Sequence, residues 1–363
     1  MGFPSGKAPT VLAVGAFLLL ALLLGLWWQR PPQLLLLEGS TMGTSWQVQV
    51  VDDRSLQKDG LATDIAAVLQ RLDQEIFSTW VESSELSRLN ASDDERPVQV
   101  SAELFEVLQA AVRLHGASDG AFDASIGPLV DLWGFGPLEV EVSPDPEAIA
   151  AARARLGLPE LQLDAAARTL VKPARLQLDL SGIAKGYAVD RLAALLQQRG
   201  AVSFLVEIGG ELRLQGRRPD GRAWILAIES PDPEQRSVQV LIDSRGEPLA
   251  LAGSGDYRNY RLVDGVRQSH EIDPLRGVPV QHGLAAVTVL ADSAMEADAW
   301  ATALMVLGPA DGRRIADRLG LSAYFIIRDG DAWTSQYTGR FDTHLISEQP
   351  EAPTASAMPS AKE

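Results

Sequence analysis

The 363-residue chain contains no cysteine. That absence excludes disulfides, zinc–thiolate sites, iron–sulfur clusters and thiol nucleophiles together, and with them a lipoprotein anchor. Basic residues are also in deficit: 32 Lys and Arg stand against 48 Asp and Glu, for a formal net charge of −16. Binding a phosphate backbone needs a basic stripe. The Lys and Arg residues form none, so the chain is read as having no nucleic-acid partner. No internal repeat is present. What remains is a chain with 46% hydrophobic residues, enough to bury a large core in one sizeable domain or two intimate ones.

One hydrophobic run stands apart. Residues 11–28, VLAVGAFLLLALLLGLWW, are long enough for a membrane helix and end in an interfacial tryptophan pair. QRPPQ follows with no small-x-small cleavage site, which favours an uncleaved anchor over a removed signal peptide. Lys7 and the terminal amine against Arg30 give a bias toward a cytoplasmic N-terminus. The body then faces the periplasm, in keeping with the absence of thiols. We therefore divide the chain into residues 1–30, a membrane anchor or uncleaved signal; 34–345, a single large body; and 346–363, a Pro/Ala/Ser-rich tail without periodicity, expected to be disordered.

Within the body helices and strands mix. Leu61, Ile65, Leu69, Leu72 and Ile76 predict one helix, and Leu104, Val107, Leu108, Ala111 and Leu114 another after an N-cap at Ser101. A third follows Ser181 toward Gly200, and a fourth begins at the capping-box pair Ser293 and Glu296 and stops at Gly308. Strand-like runs are WQVQVV, SFLVEI, ELRLQG, AWILAIE and AAVTVLA, with a hairpin in AYFIIRDGDAWTSQY around Asp329-Gly330. Strands often follow strands without βαβ alternation, so the expected class is α+β, with mixed sheets flanked by helices.

Four stretches have compositions that packing alone does not require. In LDLSGIAKGYAVDRLAALL (178–196) a strand is expected to end, Ser181-Gly182 to turn and a helix to open, leaving free N–H groups and Lys185 beside an anion; an ordinary strand-to-helix turn is the plainer alternative. GAFDASIGPLVDLWGFG (120–136) crowds glycines, aspartates and aromatics in a way that suits a flat ligand, or a surface loop with aromatic anchors. Trp80 offers another flat face, although a buried tryptophan is usually core. In SHEIDPLRG (269–277), His270 lies beside Glu271 and Asp273, a setting for an exposed base tuned by carboxylates, while His115, His282 and His344 are read as structural. Asp298 and Thr302 stand one turn apart on the fourth helix, an oxygen-donor pair suited to a hard cation such as Mg²⁺, or equally a loop cap and a threonine bonded to its own helix.

Taken in order, STMGTSWQV, FSTWVESSELSRLN, GAFDASIGPLVDLWGFG, LDLSGIAKGYAVDRL, VEIGGELRLQG, SHEIDPLRGVP and AAVTVLADSAMEADAWATALMVLG resemble the ApbE family, the FAD:protein FMN transferases. The resemblance spans about residues 39 to 308 and leaves out the N-terminal run and the tail. It implies an ApbE-like fold and an enzyme that splits FAD, attaches the FMN half through a phosphoester to a Thr or Ser of another protein, and releases AMP. By position it implies FAD contacts at Met42, Trp80, Ala121, Phe122, Asp123, Asp179, Lys185 and Ile272, and a Mg²⁺ site at Gly182 (through its carbonyl), Asp298 and Thr302. The catalytic histidine falls on His270. The implied acceptor is an extracytoplasmic domain of a membrane electron-transport complex, and the implied location the cell inner membrane with the body on its periplasmic side. Two alternatives stay open from sequence: a Mg²⁺-dependent FAD pyrophosphatase giving FMN and AMP, and a periplasmic flavin-binding protein without turnover.

Overall fold

The computed structural model describes residues 32–346, apart from residues 54, 138–142, 233–236, 258–259, 264–265 and 331. The apolar run 11–28 and residues 347–363 lie outside the described residues; among those described, no helix is long and apolar enough to cross a membrane.

The chain opens with β1 (Gln33–Thr41) and β2 (Thr44–Asp52), then α1 (Leu61–Gln70), α2 (Glu85–Ala91), β3 (Val98–Gln99) and α3 (Ala102–Ala117). A small lobe follows, with α4 (Gly127–Leu132), α5 (Pro146–Arg153), β4 (Gln162–Asp164) and β5 (Thr169–Val171). After α6 (Ala184–Gln198) come β6 (Phe204–Ile208), β7 (Glu211–Gln215), β8 (Ile225–Glu229), β9 (Val238–Asp243) and β10 (Leu249–Gly255). Two short hairpins, β11 (Tyr260–Val263) with β12 (Val266–Ser269) and β13 (Ile272–Asp273) with β14 (Val278–Pro279), precede β15 (Leu284–Ala291), α7 (Ala294–Leu319), β16 (Ser322–Asp329) and β17 (Ala332–Tyr337).

Eight strands form one sheet in the order β1-β2-β6-β7-β10-β15-β16-β17. Each of its ladders is antiparallel, which corrects the expectation of mixed sheets within the α+β class. The sheet is covered on both sides, because alternate residues feed different cores. Phe204, Val206 and Ile208 face the main core with the helices, while Leu205 faces a second core built with Trp224, Leu226, Ile228, Ile242 and Phe341. Burial on both faces explains why β15 reads as LAAVTVLA, apolar but for Thr288. A third, smaller core joins Leu129 and Trp133 to Ala152 and Ile272.

Helices start where the caps predict. Ser101 Oγ accepts the Leu104 N–H at 3.2 Å, and Ser293 Oγ the Glu296 N–H at 3.2 Å. Glu296 does not close the capping box; its carboxylate takes Arg113 of α3 at 2.9 Å, and Asp190 instead accepts from Ala294 and Met295 N–H, both at 3.0 Å. Gly308 (φ 76°) does break α7, as its sequence position predicts, but a second helical stretch continues beyond Pro309 to Leu319. The helix predicted through Ile76 is α-helical only to Gln70, and Arg71–Phe77 is π-helical. No strand precedes the Ser181 turn: residues 176–180 are outside any strand, against expectation.

Candidate functional site

The site begins at the glycine turn before α6. A Cβ on Gly182 would lie 3.0 Å from Thr302 Oγ1 and 3.4 Å from the Phe122 ring, so the missing side chain lets this turn touch both α7 and the 120–136 loop. Gly186 is tighter still: its Cβ would sit 2.2 Å from the Ala294 carbonyl oxygen and 2.8 Å from Asp298 Cβ. Through that close approach the Gly186 N–H donates to Asp298 Oδ2 at 2.9 Å. Asp298 is buried in a helix face otherwise made of alanine, Trp300, Leu304 and Met305. Gly182, Asp298 and Thr302 are thus brought together.

Lys185, on the first turn of α6, meets the same carboxylate from another side. Its Nζ lies 3.8 Å from Asp298 Oδ1 and 3.3 Å from Glu211 Oε1. Burial works against the ammonium, but Asp298 and Glu211 outweigh it and hold Lys185 protonated well above the ordinary lysine range. Burial also pushes the Asp298 carboxyl up, with Lys185 and the Gly186 N–H opposing. Burial pushes Glu211 up to about 8, with Lys185 opposing and Asp298 adding to the rise. Glu211 Oε2 is buried without a hydrogen-bond partner among the described residues.

The 120–136 loop is anchored from two sides. The Asp179 N–H donates to the Ala124 carbonyl at 2.8 Å, and His115 Nδ1 lies 3.0 Å from the Phe122 carbonyl and 3.6 Å from Asp123 Oδ2. Ala121 and Phe122 are buried, and Asp123 Oδ1 accepts from the Ser125 N–H and hydroxyl. His115 therefore does more than end a helix: it braces the loop. Asp131 of α4 has its carboxyl raised by burial and by Asp179. His282, read without a partner from sequence, bonds the Met305 carbonyl at 2.8 Å and the Leu284 N–H at 3.3 Å, while His344 meets the Asp243 carbonyl at 3.0 Å.

His270 follows β12, and Ile272 opens β13 in the third core. The His270 ring meets Phe135 edge-on at 6.5 Å, and its Nε2 lies 3.6 Å from Glu271 Oε1. Burial raises the Glu271 carboxyl against the opposing pull of His270 and Lys185, so this carboxylate links the imidazole to the Lys185 cluster. Leu275 closes the circuit by packing 3.5 Å from where a Gly120 Cβ would stand.

Met42 and Gly43 are the central residues of the β1–β2 hairpin, with φ of 48° and 72°, the backbone of a type I′ turn. Beside β2 the β6–β7 turn at Gly209-Gly210 repeats positive φ, and the Gly209 N–H donates to the Ser45 carbonyl at 3.1 Å. An open surface depression is lined by residues 40–45 and Asp73. Trp80 is 68% exposed and is not core. Its segment is fixed to α6 by an edge contact of Phe77 with Tyr187 at 5.7 Å.

The trio from the turn before α6 and from α7 offers oxygen donors and one carboxylate. Among the described residues no group of three or more His, Cys, Asp or Glu could form a metal cage. A hard cation that takes one carboxylate and completes its shell with water and substrate phosphate suits such a set, and buried carboxylates sharing a single ammonium favour added positive charge.

Glu211, Asp131 and Asp73 escaped sequence reasoning. Glu211 sits within a strand-like alternation, and only the glycine pair before it hints at a close approach.

The ApbE family model matches residues 42–325. The FAD:protein FMN transferase of Klebsiella pneumoniae is 39% identical over 317 residues, covering 86% of this chain and 90% of that one. Its counterpart in Vibrio cholerae is 40% identical over 320 residues, covering 87% and 94%. Among solved structures, the flavin transferase ApbE from Vibrio cholerae superposes with a TM-score of 0.80 at 39% identity, covering 87% of this chain and all of that one. The apo form of the Pseudomonas stutzeri flavinyl transferase ApbE gives 0.79 at 39% identity over 87% and 98%. With matches this long at this identity, the chain belongs to the ApbE family.

Proposed function

We propose that this chain transfers the FMN moiety of FAD to a Thr or Ser hydroxyl of a second protein and releases AMP. The observation that carries the reading is the convergence of Gly182, Asp298 and Thr302 beside Lys185, an oxygen-donor and ammonium pair of the kind a pyrophosphate needs. The acceptor oxygen attacks the phosphorus on the FMN side; the new P–O bond forms as the bond to the AMP oxygen breaks, and AMP leaves with that electron pair. The hydroxyl proton passes to His270, which Phe135 and Glu271 orient. Lys185 meets charge on the bridging oxygens. Bound at the Gly182–Asp298–Thr302 set, Mg²⁺ supplies electrostatic neutralisation of the phosphates. No covalent enzyme intermediate is required, because positioning and charge account for most phosphoryl-transfer catalysis.

The same reading gives Met42, Trp80, Ala121, Phe122, Asp123, Asp179 and Ile272 to FAD. It keeps the acceptor as an extracytoplasmic domain of a membrane electron-transport complex, with residues 11–28 as the anchor in the inner membrane. The test separates binding from turnover. In His270→Ala, FAD affinity read by flavin fluorescence should be retained while AMP release falls by about a hundredfold or more, as for loss of a general base. Lost affinity would make His270 a ligand contact and not the base.

A further inference from the structure

Asp73 is a half-buried carboxylate at the edge of an apolar helix stripe. Leu61, Ile65 and Leu69 form an i, i+4 row into the core, and Asp73 is the next member of that row. At about 100° per residue Asp73 falls at the edge of the stripe that Leu61, Ile65, Leu69, Leu72 and Ile76 make. It lies in the π-helical segment Arg71–Phe77, a form frequent at functional sites. Leu72 and Ile76 are buried while Asp73 is half-buried beside the open depression lined by residues 40–45. There its Oδ2 accepts the Met42 N–H at 2.9 Å, with the Thr41 hydroxyl at 3.4 Å.

The partner is equally unusual. Met42 has φ 48° at the first central position of a type I′ turn, where Asn, Asp or Gly is the usual residue. Its side chain carries no oxygen to stabilise that conformation locally. The Asp73 carboxylate supplies the acceptor from outside the hairpin.

We propose that Asp73 is a positioning residue that holds the Met42 turn in its left-handed conformation and so shapes the FAD-binding wall. This rests on the reading of Met42 as an FAD contact.

The test is FAD affinity and steady-state kinetics on the whole chain, with melting curves as a check on folding. Asp73→Ala should weaken FAD binding by about tenfold, the low end for one hydrogen bond to a charged group, and raise KM with kcat at saturating FAD unchanged within about twofold. Asp73→Asn keeps an acceptor oxygen and should restore affinity to within about threefold of the parent. In a Met42→Asn background, where the side chain itself tolerates positive φ, Asp73→Ala should cost less than about threefold. An equal tenfold loss in both backgrounds, or an Asp73→Asn variant as weak as Asp73→Ala, would overturn the proposal. If Met42→Ala leaves FAD affinity unchanged, the assignment of the hairpin tip fails; if Met42→Ala weakens binding and Asp73→Ala does not, that assignment stands and the positioning role fails.

Discussion

Adding one methyl group at Gly186 tests the geometry that brings the two site helices together. The new Cβ would lie 2.2 Å from the Ala294 carbonyl oxygen and 2.8 Å from Asp298 Cβ, against ordinary contacts of ~3.5 Å. The first obstruction is backbone, so α6 must move about 1 Å away from the start of α7. Overpacking of this kind costs about 1–3 kcal/mol. The same movement stretches the 2.9 Å bond from the Gly186 N–H to Asp298, and a buried carboxylate short of a donor costs about 1–3 kcal/mol more. The sum, about 2–6 kcal/mol, corresponds to a fall in Tm of roughly 4–12 °C for a body of this size. Gly116→Ala is the control: it lies in α3 with nothing within 4 Å of its Cβ, and the change should be neutral or stabilise by up to about 1 kcal/mol. Calorimetry or circular-dichroism melts on both variants suffice. A Gly186→Ala protein that melts with the parent would refute the close packing of α6 on α7 and the way Asp298 is held.

Two further outcomes follow from charge and exposure. Glu211 titrates near 4.3 in an unfolded chain and at about 8 in the folded protein, so between these values the folded state holds a proton that the unfolded state has released. Its contribution to stability is therefore full below about pH 4.3 and is lost as pH rises through about 8; Glu271 and Asp298 are shifted in the same direction. Glu211→Gln should flatten the decline of Tm between about pH 5 and 8, and an unchanged pH profile would contradict the burial of that carboxyl. Trp80 is 68% exposed, so Trp80→Ala should change stability by less than about 0.5 kcal/mol while weakening FAD binding about tenfold through lost stacking. Equal affinity for both proteins would remove its ring from the ligand.

Several strands were legible as alternating or largely apolar runs, because the sheet has a core on each face. Their antiparallel pairing was not, since it depends on which distant strand each run meets. Asp298 was legible as a carboxylate out of keeping with the alanine-rich face around it. Glu211 was hidden because a carboxylate at the start of an alternating strand looks solvated, and only the fold reveals that Lys185 and Asp298 cover it. The π-helical turn left no trace either, because the stripe from Leu61 to Ile76 satisfies an α-helix as well. His115 appeared as a helix end, and its hold on Phe122 and Asp123 arises from a loop that returns to it.

The most direct test of the account is intact-mass spectrometry of a candidate acceptor domain, incubated with FAD, Mg²⁺ and this protein, with AMP measured in the same reaction. The account predicts a mass gain of one FMN on the acceptor, one AMP released per modified hydroxyl, and loss of both on adding a chelator. AMP and free FMN formed while an acceptor known to be flavinylated by another ApbE enzyme stays unmodified would contradict it and leave a pyrophosphatase in its place.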